Sequence, residues 1–389
     1  MRIVLLVIDS GGIGAAPDAK EFGDEGANTI GHVAQSVPNL SLPNLAQMGL
    51  NRLVPLPVHG KDPLKGVAFP VIPRANGKDT LAGHWEMMGI TVTKPFQTFP
   101  QGFPRPIIEL VTSIVGRPLL GNEVASGTEI IARLGEEHCL TGYPIVYTSA
   151  DSVLQIAAHE DIVPLEQLHQ WCRQIREALN ESAFRIGRVI ARPFRGEMGH
   201  FVRTAGRHDF SVVPPGPTMV DVLQSAGIET VAIGKIGDIF SGHGFSRHLL
   251  TQSNQDGLEQ TRTALKAAPP DAFIFTNLVE FDSHFGHRRD VVGYAQALRE
   301  LDDFLPRLWQ ALEPDDQLWI TADHGCDPTY KGTDHTREMV PWLAYGPRVK
   351  PAVGHYRTGL GDIGATLAAL WRVPSTFSGH VASELITTN

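Results

Sequence analysis

Arg2-Ile3-Val4-Leu5-Leu6-Val7-Ile8-Asp9-Ser10-Gly11-Gly12-Ile13-Gly14 stands at the start of the chain, and its reading decides the fold. Ile3–Ile8 is an unbroken run of leucine and β-branched residues, the pattern of a strand buried on both faces. The run stops at an acid, Asp9, and passes into a glycine-rich turn. Similar runs return at Thr230–Ile233, Ala272–Leu278, Gln317–Thr321 and Met339–Tyr345, with helical patterns such as Gly293–Leu312 and Ile363–Trp371 between them. Buried strands alternating with helices predict an α/β layer fold whose sheet is largely parallel and flanked by helices.

The middle of the chain reads differently. Between about Phe96 and Val213 the units are shorter: helices near Ile107–Val115 and Gly127–Leu134, a strand at Ile145–Tyr147, a long helix at Pro164–Leu179 and a strand at Arg188–Arg192. Proline-containing stretches bound this region, Lys94-Pro95-Phe96 through Phe103-Pro104 on one side and Val213-Pro214-Pro215-Gly216-Pro217 on the other. Stiff linkers at both ends predict a discontinuous metal-binding core of residues 1–95 and 214–389, with 96–213 inserted as a smaller α+β cap. A chain of 389 residues is too long for one ordinary core and suits this division.

Composition narrows the function classes. Hydrophobic residues make up 42% and charged residues 19%, enough apolar material for a sizeable core and too little charge for disorder. With 42 Asp+Glu against 33 Lys+Arg the net charge is −9, which argues against nucleic-acid and anionic-membrane binding. The three cysteines, Cys139, Cys172 and Cys326, are far apart and form no CxxC, so a disulfide scaffold is excluded and a reducing compartment expected. The first apolar run ends after seven residues, too short for a membrane span, and no signal-peptide cleavage pattern follows. A soluble, cytoplasmic protein is expected.

Asp9, Asp282 and Asp323 each follow a buried run. In a parallel sheet all three emerge at the same edge, where ligands of open α/β folds bind. Taken singly, an aspartate at a strand end is usually a turn or helix cap. Three converging there repel one another unless cations lie between them. His287, His324 and His335 supply neutral nitrogen donors nearby. A mixed Asp/His set without cysteine suits Mn²⁺, Zn²⁺ or Mg²⁺ and is too large for one tetrahedral ion, so two metals are expected, clamping an in-line phosphoryl displacement. The Gly12-Ile13-Gly14 turn does not make a dinucleotide site, because Pro17 stands where the third glycine belongs.

Thr80, in Gly77-Lys78-Asp79-Thr80-Leu81-Ala82-Gly83-His84-Trp85-Glu86, is the candidate nucleophile. A dication can hold its hydroxyl deprotonated, and the amides opening a helix at Leu81–Met88 would favour a phosphate on it. The plainer reading of Asp79 or Thr80 is an N-cap. His84, His159, His208 and His243 read as ordinary loop histidines.

These segments resemble the bacterial phosphopentomutases, of the metal-dependent type within the alkaline phosphatase superfamily. The resemblance runs through nearly the whole chain. It rests on Asp9-Ser10, Gly12-Ile13-Gly14, Pro17-Asp18-Ala19, Gly77-Lys78-Asp79-Thr80 and Gly83-His84-Trp85-Glu86-Met87-Met88-Gly89. It continues through Tyr147-Thr148-Ser149-Ala150-Asp151-Ser152-Val153-Leu154-Gln155, Ala191-Arg192-Pro193-Phe194 and Gly234-Lys235-Ile236. The last blocks are Phe285-Gly286-His287-Arg288-Arg289-Asp290, Thr321-Ala322-Asp323-His324-Gly325 and Gly332-Thr333-Asp334-His335-Thr336-Arg337-Glu338. Cys326, Ala82 and Gly12 depart from the usual pattern.

The resemblance implies an alkaline-phosphatase-like core and two Mn²⁺, with Mg²⁺, Co²⁺ or Zn²⁺ as substitutes. Asp9, Asp323, His324 and the Thr80 oxygen would hold one ion; Asp282, His287 and His335 would hold the other. It implies a phosphothreonine at Thr80, primed by a sugar bisphosphate such as glucose 1,6-bisphosphate. The implied substrates are the 1- and 5-phosphates of ribose and deoxyribose, interconverted through a 1,5-bisphosphate, with Ser149, Asp151, Arg188, Arg203 and Lys235 at the sugar phosphate. The alternative within the superfamily is a metal-dependent sugar-phosphate phosphohydrolase, which would release free phosphate.

Overall fold

The computed structural model describes residues 1–57, 63–149, 151–375 and 377–386. The chain divides into two compact units, Met1–Lys94 with Pro214–Asn389, and Pro95–Val213.

The larger unit is built on an eight-stranded sheet. Its spatial order is Arg247–Leu249, Glu229–Ile233, Ala272–Leu278, Arg2–Ile8, Gln317–Thr321, Val340–Tyr345, Val67–Val71 and Ala352–Val353. Arg2–Ile8 lies at the centre, all seven residues buried, and runs parallel to both neighbours. Burial on both faces is what an unbroken apolar run demands, since each leucine or isoleucine withdrawn from water contributes roughly 1.5–3 kcal/mol. Helices cover both faces. On one, Val291–Trp309 presents Tyr294, Leu298, Leu301, Leu305 and Leu308 at helical spacing to a core containing Val4, Leu6 and Ile8. On the other, Phe275 packs against His84 and Phe240, and Phe273 meets Trp371.

Several strands depart from the sequence reading, the short Arg247–Leu249 and Ala352–Val353 among them. Val340–Tyr345 is antiparallel to both of its neighbours. Among the described residues no helix separates it from Thr321, and a strand that returns without a crossover helix must run the other way. Val67–Val71 is a strand that the sequence reading did not include, and its Pro70 cannot donate to a ladder. The sheet accommodates it by placing Pro70 opposite Pro341, so neither strand loses a donor the other needs there.

The register fixes where the acids emerge. Val7 pairs with Asn277 on one side and Thr321 on the other, so Asp9 and the segments after Leu278 and Thr321 leave the sheet at one edge.

The inserted unit has its own six-stranded sheet, ordered Leu120–Val124, Ile145–Thr148, Val153–His159, Arg188–Arg195 and Val202–Arg203, with His208–Ser211 also pairing Arg188–Arg195. Helices Arg105–Val115 and Leu165–Asn180 pack against one face through Ile107, Val111, Leu168, Cys172 and Ile175. Helix Gly127–Thr141 packs Ile130 and Ile131 on the other face against Ile145, Tyr147, Ala157 and Phe194. The helix predicted to stop at Leu134 continues two turns further, to a left-handed Gly142. Val153–His159 was missed as a strand.

Candidate active site

Asp9, Asp282, Asp323, His324 and His335 are all buried at the edge where the parallel strands end, and His287 is close to buried. Ser10, directly after Asp9, has φ of 76°, a left-handed conformation that disfavours any residue with a Cβ. The turn is held because the Ser10 N–H donates to Asp323 Oδ1 at 3.0 Å, while Tyr294 donates its hydroxyl to Ser10 O. Asp282 lies in a single turn of π-helix, Phe281–Gly286, which returns the backbone toward the sheet edge.

Thr80 is the first residue of the helix Thr80–Met87, and Asp79 is its N-cap, accepting from Ala82 N at 3.0 Å. Since Asp79 does the capping, the Thr80 hydroxyl is left for other work. Its Oγ1 lies 3.4 Å from His324 Nε2. The helix reaches this position because residue 83 is glycine: a Cβ there would stand 2.4 Å from the Asp323 carbonyl oxygen.

Within the larger unit the donors form three overlapping groups, one of them Asp282, His287 and Cys326. The ligand atoms of Asp9, Asp323 and His324 lie within 4.8 Å of one another, as do those of Asp282, His324 and His335. His324 Nε2 is 3.5 Å from Asp9 Oδ1 and 3.3 Å from Asp323 Oδ2. In the second group His335 Nε2 is 3.2 Å from Asp282 Oδ1 and 3.0 Å from His287 Nε2, which is itself 3.4 Å from Asp282 Oδ2. The Nδ1 atoms of His287 and His324 face the carbonyls of Thr333 and Gly325, at 2.6 and 3.1 Å. A carbonyl can only accept, so these Nδ1 atoms carry the protons and the lone pairs sit on Nε2, facing the carboxylates.

Asp9 Oδ1, Asp282 Oδ1 and Asp323 Oδ2 accept no hydrogen bond among the described residues. The other oxygens of Asp9 and Asp323 are anchored, by Asn277 Nδ2 at 3.1 Å and by Ser10 N. Each ligand carboxylate thus offers a bare, buried oxygen toward converging imidazole lone pairs, an arrangement that costs several kcal/mol unless cations fill it. Electrostatics agrees. Burial, and then the charges of Asp323 and Asp282, push the Asp9 carboxyl well above the ordinary carboxylate range. Burial opposes ionisation of Asp282 as well, but His287 and His335 outweigh it and hold that carboxyl low. Burial also lowers His324 to about 4, leaving it neutral and able to ligate. The oxygen and nitrogen donors fit divalent metal ions of the Mn²⁺/Mg²⁺/Zn²⁺ kind.

Cys326 stands beside His287, its Sγ 3.9 Å from Nδ1 and 3.7 Å from the Asp334 carbonyl. A Cβ at Gly12 would collide with the Glu338 carboxylate, which itself binds Thr29, Thr336 and Gly14 N. His84 is not the loop histidine expected of it. It is wholly buried, and contacts Thr80 O and Asp323 Oδ2. Asn277 drew no attention as a sequence feature, since one polar residue in an apolar run carries no motif. Arg337, also missed, donates to the carbonyls of Pro73, Ala75 and Gly77 and so shapes the loop leading to Thr80.

Lys235 follows the strand Glu229–Ile233 and is near enough to Asp9 to oppose the rise of its carboxyl. In the inserted unit, Arg188 bridges Asp151 Oδ2 at 3.1 Å and Asp209 Oδ2 at 3.3 Å. Ser149 is half-buried and Arg203 exposed; Ala150, between Ser149 and Asp151, lies outside the described residues. A Cβ at Gly127 would meet both the Arg203 guanidinium and the Tyr147 hydroxyl. Arg203 therefore lies over the start of the helix Gly127–Thr141.

A model of the Metalloenzyme superfamily matches residues 1–375. A phosphopentomutase of Thermotoga maritima is 50% identical over 388 residues, covering 99% of this chain and 100% of that protein. A phosphopentomutase of Caldanaerobacter subterraneus is 50% identical over 97% of this chain and 96% of its own length, and one of Symbiobacterium thermophilum is 50% identical over 99% and 98%. Bare carboxylates, converging imidazoles and near-complete coverage lead to one assignment: the chain belongs to the Metalloenzyme superfamily and, within it, to the phosphopentomutases.

Proposed function

We propose that this isomerase interconverts the 1- and 5-phosphates of ribose and deoxyribose through a phosphothreonine at Thr80 and a 1,5-bisphosphate. The observation that carries the reading is the Thr80 hydroxyl, 3.4 Å from His324 Nε2 at the start of a helix and beside carboxylates whose bare oxygens call for cations. Asp9, Asp323, His324 and Thr80 would hold one ion, and Asp282, His287 and His335 the other. Two Mn²⁺ suit this donor set, with Mg²⁺, Co²⁺ or Zn²⁺ as substitutes. When bound, such ions neutralise charge on the phosphoryl oxygens and lower the basicity of the threonine oxygen.

In the first half-reaction the bond from phosphorus to Thr80 Oγ1 breaks as the free hydroxyl of the pentose monophosphate forms a new bond to phosphorus. That hydroxyl loses its proton. After the bisphosphate has turned round, Thr80 Oγ1 takes the other phosphoryl group, and the sugar oxygen it leaves regains a proton. The Leu81 amide, in the first turn of the helix, would help to stabilise the charge of a phosphate on Thr80. Arg188, Arg203, Ser149 and Asp151 of the inserted unit, and Lys235 of the larger one, are assigned to the sugar phosphate, because a guanidinium fork matches a phosphate bidentately. Residues 96–213 would act as the cap that keeps water from phospho-Thr80. Priming by a sugar bisphosphate such as glucose 1,6-bisphosphate is part of the proposal. So is a cytoplasmic location, in keeping with the few, widely spaced cysteines. Among the described residues no helix is long and apolar enough to cross a membrane.

The test is ³¹P NMR with Mn²⁺, ribose 5-phosphate and a trace of glucose 1,6-bisphosphate. A ribose 1-phosphate resonance growing at constant total ester is the expected result. Growth of inorganic phosphate alone would replace the relay with hydrolysis.

A further inference from the structure

Two buried side chains outside the ligand set, His84 and Asn277, connect the nucleophile's helix to the carboxylate of Asp9. His84 is fully buried and Asn277 is 1% exposed. His84 Nδ1 lies 2.9 Å from the backbone carbonyl of Thr80, one turn earlier in the same helix. That carbonyl only accepts, so Nδ1 carries the proton and Nε2 the lone pair. Nε2 is 3.3 Å from Asn277 Nδ2, and the same amide nitrogen is 3.1 Å from Asp9 Oδ2. Both neighbours are acceptors, which fixes the orientation of the Asn277 amide: its NH₂ faces them and spends one hydrogen on each. Every hydrogen in the chain is thereby committed, running from Asn277 to Asp9 in one direction and from Asn277 through the imidazole to Thr80 O in the other.

We propose that Asn277 and His84 are positioning residues that set the Asp9 carboxylate and the Thr80 helix in a single register. The amide takes up Oδ2 and leaves Oδ1, which accepts no hydrogen bond, to face His324. The imidazole ties the first turn of the Thr80 helix to the strand that carries Asn277. Phe275, two residues earlier on that strand, stacks on the ring with centroids 5.8 Å apart and limits its rotation. His84 Nδ1 also lies 3.1 Å from Asp323 Oδ2, so the ring touches the second carboxylate of the same group. Among the described residues neither His84 nor Asn277 hydrogen-bonds to Asp282, His287 or His335, and the Nδ1 of His287 is held by a loop carbonyl. The chain therefore acts on one metal position and not on the other. This inference rests on the reading that Asp9, Asp323 and His324 hold a metal.

The test is Mn²⁺ binding to chelator-treated protein, followed by calorimetry and by the electron paramagnetic resonance of free Mn²⁺. The variants are Asn277→Leu, Asn277→Asp and His84→Phe, each with its metal-free melting temperature. Losing a hydrogen-bond partner of a metal ligand costs about 10–100-fold in affinity, and that loss is expected at one of the two ions, with the other within about twofold of wild type. The double variant Asn277→Leu with His84→Phe should lose little more than the worse single, because the two act as one chain. kcat should fall while KM for the sugar phosphate stays near wild type. Unchanged affinity at both positions, or an equal fall at both together with a lower metal-free melting temperature, overturns the proposal. A wild-type protein that binds fewer than two Mn²⁺ instead overturns the metal reading beneath it. Asn277→Asp, which keeps the shape and loses the donor, decides the matter if the leucine variant does not fold.

Discussion

The two units use their sheets in opposite ways. In the larger one the central strands are mostly apolar, Asn277 being an exception, and the buried acids Asp9, Asp282 and Asp323 lie beyond the strand ends. In the inserted one the polar residues lie on the sheet itself. Arg188, Arg192 and Gln155 occupy strand positions, with Arg192 donating to Gln155 Oε1 at 2.9 Å and Arg188 bound to Asp209 on the neighbouring strand. Burial, and then the nearby Arg207, lower the Arg192 guanidinium to about 10, with Tyr147 and Asp209 acting in the other direction. A parallel sheet buried on both faces can keep charge only at its edge, whereas a sheet only half covered by the helix Gly127–Thr141 can keep it on a face. The edge aspartates are buried, whereas on the face Arg188 is half-buried and Arg203 exposed.

That contrast orders the expected effects of substitution. The largest belongs to Thr80→Ala, which should abolish mutase turnover in the ³¹P assay and leave the melting temperature within a degree or two, because only one hydroxyl is removed from a helix already capped by Asp79. Residual turnover above background would break the phosphothreonine relay. Gly83→Ala comes next. Its Cβ would press on the Asp323 backbone, and neither side can yield easily. Displacing the helix by even part of an ångström should lower kcat on the order of 100-fold, with a stability loss of about 1–3 kcal/mol by thermal melting.

In the inserted unit, Arg188→Met should act chiefly through KM, raising it about 10–100-fold with a smaller change in kcat, as expected when a charge-assisted contact to a substrate is lost. A pure kcat effect would mean that the arginine only organises Asp151 and Asp209. The smallest effect lies far from both regions, at Asp302. Burial raises this carboxyl to about 6, against hydrogen bonds from Leu45 N and Asn44 N that act in the other direction. The folded state therefore holds a proton that the unfolded chain has released between about pH 4 and pH 6. Stability assigned to this group is complete below pH 4 and is lost as the pH rises through 6. Asp302→Asn should flatten that part of the stability profile while leaving the pH dependence of turnover alone. An unchanged profile in the variant would refute the assignment.

How much was legible follows the same division. The edge aspartates could be read because each follows a buried apolar run, and the strands before them end at one edge of the sheet. The face residues could not be read from periodicity: Arg188, Ser149, Asp151 and Arg203 were expected only from the family resemblance. Val153–His159 was missed because a strand covered on both faces beside a turn shows no alternation. Val67–Val71 was missed as well; its Pro70 speaks against a central strand, and only the facing Pro341 removes the objection.

Local pattern alone determined the alternation of buried strands and helices, the acid that follows the first strand, and the cap at Asp79, because these depend on residues within a few positions of one another. Tertiary structure decided the rest. The antiparallel return of Val340–Tyr345, the close approach at Gly83 and the link from Asn277 to Asp9, residues 268 apart in the chain, arise from contacts that no sequence window contains. Which oxygen of a carboxylate is anchored and which stays bare is likewise a property of what lies against it in space, and that is where the chemistry is set.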